Sequence, residues 1–400
     1  MLLEPIFILH CGMENFEEKA CLCALGKIFG FKPRIALAMI EHLGNAREVF
    51  KLDRKSLELL LGPHSQYTDL IRKSTVYDTC RELELYEKHH IDFVGWTDGH
   101  YPSLLKECPD APIGLYVKSR THVSQLWTPS RSIAIVGTRD VSPYGKEWCA
   151  RAVQALAGSE EKPLIVSGLA LGTDICAHKA AIEHGLPTIA VMATGPESVY
   201  PYRHKEFADM LYQTPGCALV TDYPPGTAPL AVHFLRRNRI IAGMSDTTVL
   251  IESKIKGGGM MTARLAFSYS RDVFALPGRV DDIRSQGCNS LIKSKIAEPL
   301  TSIPEFLESM NISAASIKNS SSEVDRLCAT YRSLIPEEKI GKMSELLLTI
   351  RKHRGVTIEE LADRCGLTYA QTAELTAILE TDGFIKTDLL QRCCINISKK

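Results

Sequence analysis

Apolar residues follow two different rhythms along this chain. From about Glu17 to Cys80 they recur at helical spacing, as in LGKIFGFKPRIALAMIEHLGNAREVF, with breaks at Gly30, Pro33 and Gly44. From Ser132 onward they come in short unbroken runs. These are SIAIVGTR (Ser132 to Arg139), LIVSGLALG (Leu164 to Gly172), TIAVMATG (Thr188 to Gly195), Ala218–Thr221, TVLIES before Gly257, and Val273–Leu276. Runs of that length read as strands buried on both faces. Helical stretches separate them. Ser142 is a good N-cap, Pro143 suits the first helical position, and that helix is predicted to run to about Ala157. A second helix spans Asp174–His184 and is stopped by Gly185 and Pro187. Further helices are predicted around His204–Tyr212 and over Met260–Ser270. Strands alternating with helices at this spacing predict an α/β fold with a doubly wound parallel sheet.

The domain plan follows from the same pattern. Residues 1–90 read as a helical module, 91–130 as a connector with strand candidates DFVGW and GLYVK, and 131–300 as the α/β core. Residues 301–335 turn Ser/Asn-rich and read as a linker. Residues 336–400 predict a winged helix. Its first helix covers about Ile340–His353, Thr357 and Glu360 form a capping-box pattern, a third helix ends at Gly383, and FIKTD…CCINI supplies the wing. Within the first module, GFKPRIALAMIEHLG resembles a helix–hairpin–helix or SAM-like element. Such a turn can present backbone N–H groups to DNA phosphates, or it can simply pack.

Composition narrows the classes. The chain has 400 residues, 45% apolar and 24% charged, as in ordinary globular proteins. Lys plus Arg equal Asp plus Glu at 47 each, so a polyanionic partner would have to be met by local clustering. Such a cluster exists: between Arg236 and Lys256 five basic residues face two acidic ones, Asp246 and Glu252. Thirteen cysteines lack CxxC or Cys/His spacing, which argues against a zinc site and suits a reducing cytosol. No apolar run approaches the roughly 20 residues of a membrane span, and the N-terminus lacks a signal-peptide pattern. The expectation is a cytoplasmic protein without metal or cofactor.

In a parallel α/β sheet the loops at the strands' carboxyl ends line one crevice. Glycines there expose backbone N–H groups, and helix N-termini add partial positive charge. Gly137, Thr138, Arg139 and Ser142 follow the first run, Gly168 and Gly172 the second, Gly195 the third, and Gly258 and Gly259 the fifth. The segment FLRRNRIIAG adds Phe234, Arg236, Arg237, Asn238 and Arg239. Neighbours on a helix diverge by about 100°, so at least one of these arginines is expected to pair internally. The edge reads as a site for a ligand with many phosphates. Tight turns also require glycine without any ligand, and Phe234 suits core packing as well as base stacking. The chain lacks GxGxxG after the first strand and the P-loop pattern, which makes NAD and ATP poor ligands.

Taken in order, AIVGTRDVSPYG, SGLALGTDICAH, TIAVMATG…VYP, DYPPGTAP…FLRRNRIIAG, GGGMMTARLA…RDVFALPG and GCNSLI resemble the DprA/Smf family of DNA-processing proteins. The resemblance covers most of the chain. It implies a Rossmann-like core, a cytoplasmic homodimer that binds single-stranded DNA, and help in loading a RecA-type recombinase during natural transformation and recombination, with no catalytic turnover. On that reading the fourteen residues just named are the DNA-binding candidates. The sequence departs from the family pattern at Leu235 (usually proline), at Gly257–Gly259 (usually serine-rich), at His204 (usually asparagine) and at Asp222 (usually a longer acid). These departures weaken side-chain contacts to a ligand but leave the backbone amides.

Two other readings compete. A LOG-like phosphoribohydrolase carries PGGxGTxxE with a catalytic glutamate, whereas Arg264 and Ala266 stand in the comparable stretch here. Asp174 and His178, four apart, could form an acid–base pair, but nothing supplies a nucleophile beside them. A helix cap and a loop contact are the preferred reading. A ligand-sensing winged-helix transcription factor would need a basic recognition helix. Thr368 to Asp382 contains Glu374, Glu380 and Asp382 and no Lys or Arg.

Overall fold

The computed structural model describes residues 4–312, 323–332, 335–353, 355–388 and 392–395, with side chains from residue 15 onward except at 323, 325, 326, 351, 352, 394 and 395. Two compact units appear, divided between Ala314 and Ala315.

The first unit is built on nine strands. They are β1 (Ile91–Gly95), β2 (Gly114–Lys118), β3 (Ser132–Val136), β4 (Leu164–Ser167), β5 (Thr188–Val191), β6 (Ala218–Thr221), β7 (Thr247–Leu250), β8 (Asp272–Ala275) and β9 (Glu298–Pro299). Their order is β1-β2-β6-β5-β4-β3-β7-β8-β9. From β6 to β9 every pair is parallel; β1 and β2 are antiparallel additions beside β6. The chain winds outward from β3 to β6, returns, and winds the other way from β7 to β9. The topological switch point therefore lies between β3 and β7, where a doubly wound sheet opens its crevice.

Alternation along the strands explains the double cover. Ile133 and Ile135 point to one face, packed by helices Pro143–Ala157 and Thr173–Glu183 through Cys149, Val153, Leu156, Ala177 and Ala181. Ala134 and Val136 point to the other, covered by helices Ala231–Gly243, Gly258–Ser268 and Gln286–Lys293 through Ile240, Ile241, Met260, Ala263 and Leu291. Strands buried on both sides need no polar alternation, which is why they stand out as continuous runs.

Two of the expected boundaries move. The connector 91–130 is part of the sheet. β1 and β2 carry Phe93 and Tyr116 into the core of the N-terminal helices, where Leu22, Leu25 and Phe29 are buried. The linker expected over 301–335 holds two helices among its described residues, Ile303–Ser309 and Glu323–Tyr331. Phe306, Leu307, Met310 and Ile312 are buried against the α/β core. Apolar residues embedded in a Ser-rich stretch were masked by its composition.

The second unit contains helices Glu323–Tyr331, Glu337–Lys352, Ile358–Cys365 and Tyr369–Thr381. A small antiparallel sheet runs β10 (Val356–Thr357), β12 (Arg392–Ile395), β11 (Ile385–Thr387) in that spatial order. Thr357 and Glu360 make the expected capping box, and Thr368 with Gln371 makes a second. Leu346, Leu347, Ile350, Leu361, Leu375 and Leu379 form its own core.

Candidate functional site

The rim is best built from the switch point outward. Ser142 caps helix Pro143–Ala157, its Oγ accepting from the Gly145 N–H at 3.1 Å. This N-terminus was expected to be open to a ligand phosphate. It is filled by Glu252, which follows β7. The Ser142 N–H and Oγ–H donate to the Glu252 carboxylate at 2.8 and 2.5 Å, and Glu252 is 2% exposed. A carboxylate on a helix N-terminus is electrostatically what a phosphate would be there. Gly137 and Gly259 close the same spot sterically. A Cβ on Gly259 would lie 3.1 Å from the Gly137 Cα, and one on Gly137 would lie 2.5 Å from Thr173 Oγ1.

The arginine knot is mostly internal. Arg237 is buried, and its guanidinium donates to the Gly168 carbonyl at 2.6 Å and to the Val191 carbonyl. A Cβ at Gly168 would run into that guanidinium. Burial draws the Arg237 pKa down to about 10, opposed by Asp174. Arg239 is buried too, donating to the Asp110 carbonyl at 2.6 Å and to Asp222 Oδ2 at 2.5 Å. Arg236 shares Asp222 at 3.5 Å and lies on the Phe31 ring, 4.5 Å from its centroid. Desolvation lowers its pKa, with Asp222 opposing. Asn238 is buried and donates to the Gly258 carbonyl at 3.4 Å. The short acid Asp222 thus holds two arginines, so it serves the fold directly.

Other candidates are committed in the same way. Gly172 has φ +76° and sits against the Thr138 and Arg139 carbonyls, where no side chain fits. The Thr138 carbonyl accepts from the Thr173 N–H at 3.1 Å, and Thr138 Oγ1 accepts from the Asp140 N–H. The Gly195 N–H goes to the Thr227 carbonyl at 3.2 Å. Asp174 does not cap its helix; its carboxylate accepts from the Ala170 N–H at 3.3 Å, and burial raises its pKa against the pull of Arg237. His178 meets Thr188 Oγ1 on β5 at 2.7 Å, not a loop, and burial pushes its pKa down to about 3. His204 is buried with Nδ1 against the Leu169 carbonyl. Both histidines are held inside the fold by these contacts.

What remains exposed is a cation–aromatic run. Arg139 extends into solvent over the Phe234 ring, 5.5 Å from its centroid, and among the described residues it has no carboxylate at ion-pair distance. The acids that follow it in the sequence are engaged elsewhere, Asp140 by Arg284 and Glu147 by Arg151. Phe234 is half-buried and meets Tyr200 edge-on at 5.2 Å. Tyr202 is exposed beside Lys205. Tyr200 and Tyr202 belong to the VYPYRH stretch but are not among the site candidates, because only the fold brings Tyr200 beside Phe234 of helix Ala231–Gly243. Gly258 is exposed with open space around it.

In the N-terminal module, helices Pro33–Leu43 and Ala46–Lys51 meet at Gly44, which has φ +89°. The expected element itself ends at Gly44, and its helix has no side-chain cap at Lys32. Just beyond it the Ala46 and Arg47 N–H groups donate to the Glu18 carboxylate at 2.8 and 3.1 Å. Among the described residues, no cluster of three or more His, Cys, Asp or Glu could hold a metal ion. None of their helices is long and apolar enough to cross a membrane.

The profile described as DNA recombination-mediator protein A matches residues 92–311. DNA processing protein DprA of Streptococcus pneumoniae is 38% identical over 196 residues, 49% of this chain and 66% of that one. Protein Smf of Synechocystis sp. is 30% identical over 295 residues, 74% of this chain and 73% of that one. The X-ray structure of the Streptococcus pneumoniae DprA superposes with a TM-score of 0.61 at 31% identity, covering 71% of this chain and 95% of that one. With a profile match over more than half its length and a relative aligned over nearly three quarters of both chains, this chain belongs to the DNA recombination-mediator protein A family.

Proposed function

We propose that this protein binds single-stranded DNA along the rim of its parallel sheet, without altering it chemically. The observation that carries the reading is Arg139: an exposed guanidinium with, among the described residues, no carboxylate at ion-pair distance, lying on the Phe234 ring, which in turn meets Tyr200. A cation on an aromatic face is a stacking plane for unpaired bases and a phosphate contact at once. A duplex hides its base faces, so such a platform favours single strands. Arg237 and Arg239 shape this surface from below; of the predicted arginines, Arg139 and the edge of Arg236 are left for the ligand. Binding is sequence-tolerant and salt-sensitive.

Family membership supports a wider role. The protein works in the cytoplasm as a homodimer, hands DNA to a RecA-type recombinase in transformation and recombination, and uses a C-terminal winged helix for protein contact. Two linked platforms in a dimer would raise avidity without new contacts.

The test is oligo-dT binding across a salt series. Arg139→Ala should reduce the log–log salt slope by about 0.7, one single-strand phosphate contact. Phe234→Ala should cost about 1–3 kcal/mol, the range for one stacked base. Duplex of equal length should bind more weakly than oligo-dT. If both variants bind oligo-dT like the wild type at every salt concentration, the platform is not the site.

A further inference from the structure

A second depression lies beyond the platform. The loop after β7, the first turns of helix Gly258–Ser268 and Leu235 enclose an open groove of about 450 Å³. Its floor is apolar and uncovered: Leu235 is 49% exposed, Ile255 56% and Met261 38%. Its rim is cationic. Lys256 and Arg264 line it and no Asp or Glu does. Among the described residues neither cation has a carboxylate at ion-pair distance. The helix starting at Gly258 has no side-chain cap, and Gly258 at its first position is exposed with open space around it.

Two uncompensated cations, an uncapped helix start and an apolar floor together complement a nucleotide: phosphate on the rim, base on the floor. An apolar peptide would suit the floor but leave the cations unmatched. A duplex would meet the cations and leave the floor bare. Leu235 directly follows Phe234, and Asn238 of the same helix is bonded to the Gly258 carbonyl, so groove and platform share one support. We infer that this groove takes further nucleotides of the same single strand, with phosphates on Lys256 and Arg264 and an unpaired base on the Leu235–Ile255–Met261 floor. The inference rests on the single-strand reading above and extends its length.

The experiment measures binding of labelled oligo-dT of graded length to the full chain, its Lys256→Ala/Arg264→Ala variant and its Arg139→Ala variant. Wild-type affinity should climb with length beyond the shortest oligonucleotide that binds. The double variant should lose that climb, and its salt slope on long oligonucleotides should fall by about 1.4, two phosphates at about 0.7 each. Both replaced side chains are exposed, so the variant should melt like the wild type, and Met261→Glu offers a second block of the same groove. If the double variant and Met261→Glu match the wild type at all lengths while Arg139→Ala weakens binding, the groove is not part of the DNA path. If Arg139→Ala is silent as well, the underlying reading falls. A change in oligomeric mass with DNA binding unchanged would make the floor a protein contact and overturn the inference equally.

Discussion

Three arginines within four residues looked like one feature, yet each has its own environment. Arg237 and Arg239 satisfy carbonyls and carboxylates of distant segments in places where water cannot replace them. Removing one partner of such a buried charged network typically costs about 3–5 kcal/mol. Arg237→Ala would strand the Gly168 and Val191 carbonyls and leave Asp174 uncompensated; Arg239→Ala would do the same to Asp222 and the Asp110 carbonyl. Each should lower the urea midpoint sharply, whereas Arg139→Ala should leave it within error. Equal midpoints for Arg237→Ala and Arg139→Ala would contradict the burial assigned here. Residue spacing could show that three neighbours cannot face one way. It could not show which faced inward, because Arg239 meets Asp110 129 positions earlier. The same blindness hid Glu252, a carboxylate that occupies a helix N-terminus expected to be free. It looks like an ordinary surface acid in the sequence, and only its burial against Ser142 sets it apart.

At the scale of elements the sequence was more informative, for a physical reason. Strand placement depends on local apolar runs, and caps depend on residues three apart; both were legible at Ser132–Val136, Ala218–Thr221, Ser142 and Thr357. Packing between elements is long-range, and His178 shows the difference. Its helix lays it against β5, where burial pushes the imidazole down to about 3 from its ordinary 6.5. Between those values the unfolded chain takes up a proton that the folded chain refuses. Stability is therefore fully present above about pH 6.5 and declines as pH falls toward 3, by up to about 1.4 kcal/mol per pH unit. Urea titrations at pH 7, 6, 5 and 4 should show His178→Asn with a shallower decline than the wild type, whatever its stability at pH 7. Parallel declines would mean that the folded protein accommodates the charged imidazole.

On the largest scale the balanced charge of the chain matters, because 47 basic and 47 acidic residues give no long-range pull on DNA. On the single-strand reading proposed above, capture depends on local geometry, and that geometry belongs to one unit. The platform and the groove are built from residues between Arg139 and Arg264, inside the unit that ends at Ala314. The last helix of the α/β core, with Phe306 and Leu307, seals the face under β3 and β8, so a cut at residue 300 would expose apolar surface that a cut after Ile312 would not. The second unit has a separate core around Leu346, Leu361 and Leu379. Units with separate cores unfold as separate transitions unless a large interface couples them. A chain ending at Ile312 should therefore keep the melting midpoint of the larger unit and its oligo-dT affinity, whereas one ending at Leu300 should aggregate or melt lower. Should the Ile312 truncation lose the midpoint too, the two units depend on each other for stability, and the proposed DNA-binding rim could not be assigned to the first unit alone.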